Sequence, residues 1–320
     1  MKSSEHELLL PPVEEENICL PLSINAVSKY WNVDLPLSEA IEIAKKYPNV
    51  NGSILIEGIE LAERHGLGSL ILHSSISELK KIIDMGIPPI VILPGLHDII
   101  QHASIISGYD DGEKTIIHYI PQQHNEDQFQ IGVIPEKKFD SLWEEDGRLM
   151  IILAPLDILS EIKIGDKKLD KSNRLCFVSE RLNIQRKSDE AIQSLKKAIE
   201  IDNKNSTAFA LLGGILNEQN SPECIKYYEK SIAINDRCYL AYRGLGNYYL
   251  KNKQYDKAEQ YYTKAIEINT TRFGPIHKNR GLARLEQKKT IEAKQDFENY
   301  LKYTPNAKDK QSILQALREF

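Results

Sequence analysis

The stretch Glu259-Gln260-Tyr261-Tyr262-Thr263-Lys264-Ala265-Ile266-Glu267-Ile268 echoes Ile192-Gln193-Ser194-Leu195-Lys196-Lys197-Ala198-Ile199-Glu200-Ile201, and that echo decides the fold of the carboxy-terminal half. Moving Ala258, Tyr262 and Ala265 back by 34 positions reaches Cys224, Tyr228 and Ser231, and a further 33 reaches Ala191, Leu195 and Ala198. Forward by 35, Ala258 and Tyr262 become Ala293 and Phe297. A period near 34 is the signature of stacked helix–turn–helix units. Between residues 239 and 272, Tyr242, Leu245 and Tyr249, then Tyr255, Ala258, Tyr262 and Ala265, recur at helical spacing. Gly246, Ala258 and Ala265 are small enough for two helices to approach, and the tyrosines fill the space beside them. Four units are expected, near 172–204, 205–238, 239–272 and 273–307, with 308–320 as the terminal helix that caps such a series.

Leu245-Gly246, Tyr249, Ala258, Tyr262 and Ala265 sit at the signature positions of the tetratricopeptide repeat, which this half resembles. In the last unit Gly281, Ala293, Phe297 and Pro305 do the same. In the second, Leu212 falls where the glycine of the first helix is expected, and Cys224 and Ser231 replace alanines. The resemblance implies an all-α solenoid with a groove that takes a peptide or protein partner. Groove-facing candidates are Arg243, Asn247 and Lys251 in the third unit and Lys278 and Asn279 in the fourth. Such donors on one surface suit a carboxylate, so an acidic segment is the expected partner.

The 320 residues are enough for two domains at about 150 residues each. A composition of 41% hydrophobic and 27% charged residues is that of a globular chain. No apolar run approaches the ~20 residues of a bilayer span, and the amino terminus lacks the apolar core of a secretory signal. Cys19, Cys176, Cys224 and Cys238 form no Cys-x-x-Cys pair. Free thiols in a reducing, cytoplasmic setting are therefore expected. Residues 1–157 carry 11 Lys and Arg against 25 Asp and Glu, and residues 158–320 carry 30 against 21. Opposite signs point to two folded parts joined through the polar, lysine-rich 158–171. No nucleic-acid motif, membrane segment or cofactor fingerprint is present.

Residues 1–157 mix periods. Helices are expected over 21–31, 37–47, 53–65 and 77–85, and strands over 69–73, 89–93, 103–107, 114–119 and 149–153, with a turn at 108–112. Helices followed by an antiparallel meander make an α+β domain. Cys19 precedes the first helix, where free backbone N–H groups favour a thiolate. His102 precedes a strand. A thiol at a helix start and an imidazole on a distant strand form the layout of papain-type nucleophiles. His97, His102 and His118 match no familiar metal-ligand spacing, so no metal site is expected.

Cys19-Leu20-Pro21-Leu22-Ser23 running into Ala26 to Trp31 resembles the cysteine helix of the bacteriocin-processing (double-glycine leader) peptidases. His102 to Asp111 resembles their histidine strand and following turn, and Phe139 to Trp143 with Arg148 to Pro155 their closing helix and strand. The resemblance implies a papain-like cysteine peptidase domain over 1–157, with Cys19 as nucleophile and His102 as base for peptide-bond hydrolysis. Three positions depart from that family. Leu20 stands where it has Gly, Val13 to Glu15 where it has a Gln that donates to the oxyanion, and Ile120 where an Asp or Asn precedes proline. Gln122, His118 and Asn125 are the candidates left to orient His102. A peptidase fold without activity, serving as a scaffold for the repeats, is the alternative.

Overall fold

The computed structural model describes residues 5–7, 19–47, 54–94, 101–120, 130–163 and 167–319. Two compact units part between Asn205 and Ser206.

The first unit is built on an antiparallel sheet. Its strands are β1 (Glu5–Glu7), β2 (Gly68–His73), β3 (Ile90–Pro94), β4 (Gln101–Asp110), β5 (Thr115–Ile120), β6 (Gln130–Pro135) and β7 (Leu149–Ala154). The order is β2-β7-β3-β4-β5-β6, and β1 adds to β4 at Gly108 to Asp110. Helices α1 (Cys19–Tyr30), α2 (Leu37–Lys45) and α3 (Leu55–Arg64) precede β2. Then come α4 (Ile76–Asp84), α5 (Glu136–Glu144) and α6 (Leu156–Glu161). Strand alternation divides the buried residues between two faces. Ile71, Ile90, Ile92, Ala103, Ile105, Tyr119, Ile151 and Leu153 share a core with α1, α2 and α3. Leu72, Val91, Ile106, Ile116, Met150 and Ile152 share the other with Leu79, Ile82 and Ile83 of α4 and Phe139 and Trp143 of α5.

Helices α7 (Lys167–Ile184) and α8 (Ser188–Ile201) complete the first unit. The 158–171 stretch, expected as a joint, therefore holds the end of α6 and the first turn of α7. The turn expected at 108–112 starts later, at Asp111, because a bulge between Ile106 and Gly108 absorbs the glycine and lets β4 run to Asp110. Strands β1 and β6 were not expected from sequence.

The second unit consists of α9 (Ser206–Glu218), α10 (Cys224–Ile234), α11 (Tyr239–Lys251), α12 (Tyr255–Ile268), α13 (Pro275–Glu286), α14 (Thr290–Tyr303) and α15 (Lys310–Glu319). The period recurs in the backbone. Arg186, Asn220, Lys253 and Lys288 each adopt positive φ after the first helix of a pair. The N–H of the next residue reaches back to Leu182, Leu216, Tyr249 or Arg284, closing a Schellman cap in every unit. After the second helices, Asp202, Asn235 and Asn269 accept from the N–H two residues on, at 2.9, 3.0 and 3.2 Å. One residue of register differs from the sequence reading. A Cβ on Gly213 would lie 2.8 Å from the Tyr228 ring, as one on Gly246 would lie 2.5 Å from Tyr262. Gly213, not Leu212, is the close-approach glycine of the second unit; 33 residues separate it from Gly246, which the fixed step of 34 passes over.

Candidate functional site

Two places were expected to carry function. The first lies where α1 meets β4. Cys19 is the first residue of α1 and packs against the core of that face. Its sulfur is reached by the backbone N–H of Ala103, yet burial outweighs this and raises the thiol above its ordinary value. That is the reverse of what a helix start predicts, because the helix N-terminus here lies out of water. Along β4, Ala103 and Ile105 face α1, so alternation turns His102, Ser104 and Ile106 to the other face. His118 of β5 joins them there: it pairs with Ile106, its Nδ1 lies 3.1 Å from Ser104 Oγ, and it feels the charge of His102. Burial lowers His102, and burial together with His102 lowers His118 to about 4. Both rings are neutral near pH 7. The structure brings His102 to His118 and Cys19 to the Ala103 backbone; no hydrogen bond or ion pair joins Cys19 to His102. Gln122, Asn125, His97 and the 13–15 segment lie outside the described residues. Among the described residues no group of three or more His, Cys, Asp or Glu could hold a metal ion.

The second place is the surface of α11 and α13. Arg243 and Asn247 lie one turn apart on α11, and Asn279 Nδ2 of α13 donates to Asn247 Oδ1 at 3.4 Å. The same oxygen accepts from Tyr262 O–H at 2.8 Å, which fixes the amide with its NH₂ free to donate elsewhere. Arg243 is half-buried, its guanidinium 4.8 Å over the Phe273 ring. Burial and the neighbouring Arg272 both press it below its ordinary value, and no carboxylate pairs with it among the described residues. The other two candidates are already engaged. Lys251 Nζ donates to the Asn217 carbonyl at 3.3 Å. Lys278 pairs with Asp309 at 2.8 Å, and Asp309 is also held by Tyr300 O–H. The sequence reading missed Phe273, Asp309 and the half-exposed Leu282, which lies three residues beyond Asn279 on α13. Leu282 occupies in the fourth unit the position of Asn247 in the third, a signal that the repeat alignment contains.

Comparisons with known proteins agree with the helical half. The tetratricopeptide-repeat family model matches residues 239–271, and a second model of the same repeat matches 184–205. The chain carries tetratricopeptide repeats. It is 32% identical over 95 residues to the anaphase-promoting complex subunit 3 of Schizosaccharomyces pombe, covering 29% of this chain and 14% of that protein. It is 27% identical over 124 residues to the type IV pilus assembly protein PilF of Pseudomonas aeruginosa, covering 37% and 48%. The chain thus spans less than half the length of these curated relatives. The solved structure of Pseudomonas aeruginosa pilF is similar with a TM-score of 0.44 and 23% identity, over 48% of this chain and 72% of that one. Among the described residues no helix is long and apolar enough to cross a membrane.

Proposed function

We propose that the protein is an interaction scaffold whose repeats hold an acidic peptide segment of a partner along the first-helix face of α11 and α13. The observation that carries this reading is Arg243, a cation stacked on Phe273 with no carboxylate beside it, next to the Asn247–Asn279 pair. A guanidinium held flat on a ring presents its N–H edge in one orientation, which suits a carboxylate. Leu282 adds an apolar contact on the same face, so the preferred segment carries an acidic group next to an aliphatic one. Peptide-bond hydrolysis by Cys19 and His102 is the competing reading. The raised thiol, the separate surroundings of the two side chains and Leu20 after the cysteine all weigh towards the scaffold.

An array of acidic, aliphatic-containing peptides tests both. Saturable binding is expected to weaken roughly tenfold to a hundredfold in Arg243→Ala, the value of a charge-assisted hydrogen bond, and to persist in Cys19→Ala. Peptides recovered by mass spectrometry should be intact. Cleavage that disappears in Cys19→Ala would replace the scaffold by the peptidase.

A further inference from the structure

The first helix of each repeat has a face that leans on the repeat before it. In α11, a Cβ on Gly244 would lie 2.2 Å from the Tyr228 ring of α10. In α13, Arg280 Nη1 donates to Thr263 Oγ1 at 3.1 Å, and Gln287 Nε2 donates to Glu259 at 2.9 Å, both acceptors on α12. Carried back by whole periods, these positions fall in α7 on Phe177, Val178 and Gln185. No repeat precedes α7 in the series. Phe177 is instead buried in the sheet core, and Val178 packs against it. Gln185 Nε2 donates to Tyr47 O–H at 3.2 Å. Around them, Arg174 pairs with Glu63 and Arg181 with Glu60 on α3, at 2.5 and 2.6 Å. Two turns before Phe177, Asp170 accepts the N–H of Ile71, and one turn before it Asn173 donates to the Ile71 C=O, both at 2.8 Å. β2 is an edge strand, so these two side chains fill backbone bonds that a neighbouring strand would otherwise make.

We propose that the sheet stands in for a preceding repeat to the α7–α8 pair: it is docked on the face of α7 that corresponds to the one α11 and α13 use for stacking within their own unit. A repeat array needs its terminal apolar face covered, and the usual device is a modified repeat with a polar outer side. Here an acidic sheet domain does this, and in exchange α7 closes the sheet's open edge. The two are one cooperative folding unit. No further repeat, from this chain or another, can stack on that face of α7.

Trp31 and Trp143 make the test direct, since both indoles donate to carbonyls of β7 and no other tryptophan exists. In denaturant titrations of the full chain, Phe177→Ala should lower the folding equilibrium constant reported by tryptophan fluorescence by roughly a hundredfold or more, with Phe177→Leu recovering most of it. Tyr228→Ala should lower the helical signal at 222 nm and leave the tryptophan transition in place. Hydrogen exchange at the Ile71 amide should speed up in Asp170→Ala and stay slow in Asp170→Asn, which keeps an acceptor. A tryptophan transition unmoved by Phe177→Ala, or an Ile71 amide indifferent to Asp170→Ala, would overturn the proposal.

Discussion

Strand β7 of the first unit buries six consecutive apolar residues, Leu149 to Ala154, while α14 of the second buries Asp296 among Arg280, Arg284 and His277. The sheet has two apolar faces to cover and does so with aliphatic helices on both. The repeats cannot, because each helix pair must present a face to the next pair and another to water. Between α12, α13 and α14 the contact is polar: Glu259 takes Arg284, Gln287 and Lys289, and Asp296 takes Arg280 and Arg284. Trimming a hydrophobic side chain loses its contacts and leaves a cavity, whereas removing a buried carboxylate also leaves its guanidinium partners uncompensated.

The largest effect should follow from removing that carboxylate. Asp296 has no exposed surface, and its neighbours hold its carboxyl below the ordinary range against the opposing pull of burial. Asp296→Ala leaves Arg280 without its carboxylate inside the protein and Arg284 with Glu259 alone. A loss of about 3–5 kcal/mol is expected in urea titrations followed at 222 nm. The tryptophan transition should not move, because both indoles belong to the sheet. A loss under about 1 kcal/mol would mean that water reaches the site and that the contrast between the units is one of composition only.

The next effect is a pH dependence confined to the sheet unit. His118 titrates near 6.5 in the unfolded chain and at about 4 in the folded one, because burial and His102 oppose its charged form. Between those values the unfolded chain binds more protons, so stability falls as pH drops from about 6.5 towards 4, by up to ~3 kcal/mol. Glu180 works the other way: burial and Asp146 raise it to about 7, so its contribution improves on acidification. Comparing wild type with His118→Gln at each pH cancels the Glu180 part. The difference between their tryptophan-monitored midpoints should shrink steadily below pH 6.5. A constant difference would place His118 in contact with solvent.

The same contrast explains what was legible in the sequence. Ala258, Tyr262 and Ala265 announce their helix because a repeat writes its packing several times, and each copy checks the others. Even so, the step of 34 put Leu212 in place of Gly213, since the true spacing varies by a residue where the turns differ. In the sheet unit, α1 to α4 and the aliphatic strands followed from periodicity and flanking glycines, and α5 only from the family resemblance of Phe139 to Trp143. β6 did not, because Gly132 and Pro135 break its pattern. Nor did the allegiance of α7: its sequence is that of a first repeat helix, and only the tertiary contact of Phe177 shows which core it serves. Cys19 and His102 were legible as residue types but not as a pair. The face on which a strand residue sits depends on register, and β4 carries a bulge that no local signal gives.

The smallest expected effect concerns that pair, and it is an effect near zero. A thiol paired with an imidazole alkylates quickly near neutral pH because the ring holds it as thiolate; a buried thiol raised by desolvation does not. Cys176, Cys224 and Cys238 are buried, so iodoacetamide applied to the folded chain should mark Cys19 alone, and slowly. His102→Ala should change that rate by less than about twofold, since Cys19 takes its hydrogen bond from the Ala103 backbone rather than from the ring. His102→Ala also leaves His118 with its Ser104 contact, so the fold around β4 is expected to persist and the rates can be compared directly. A tenfold or larger drop would show that the ring reaches the sulfur in solution and would bring the hydrolytic reading forward. An unchanged rate would leave Cys19 and His102 as polar groups of the sheet unit that serve its fold.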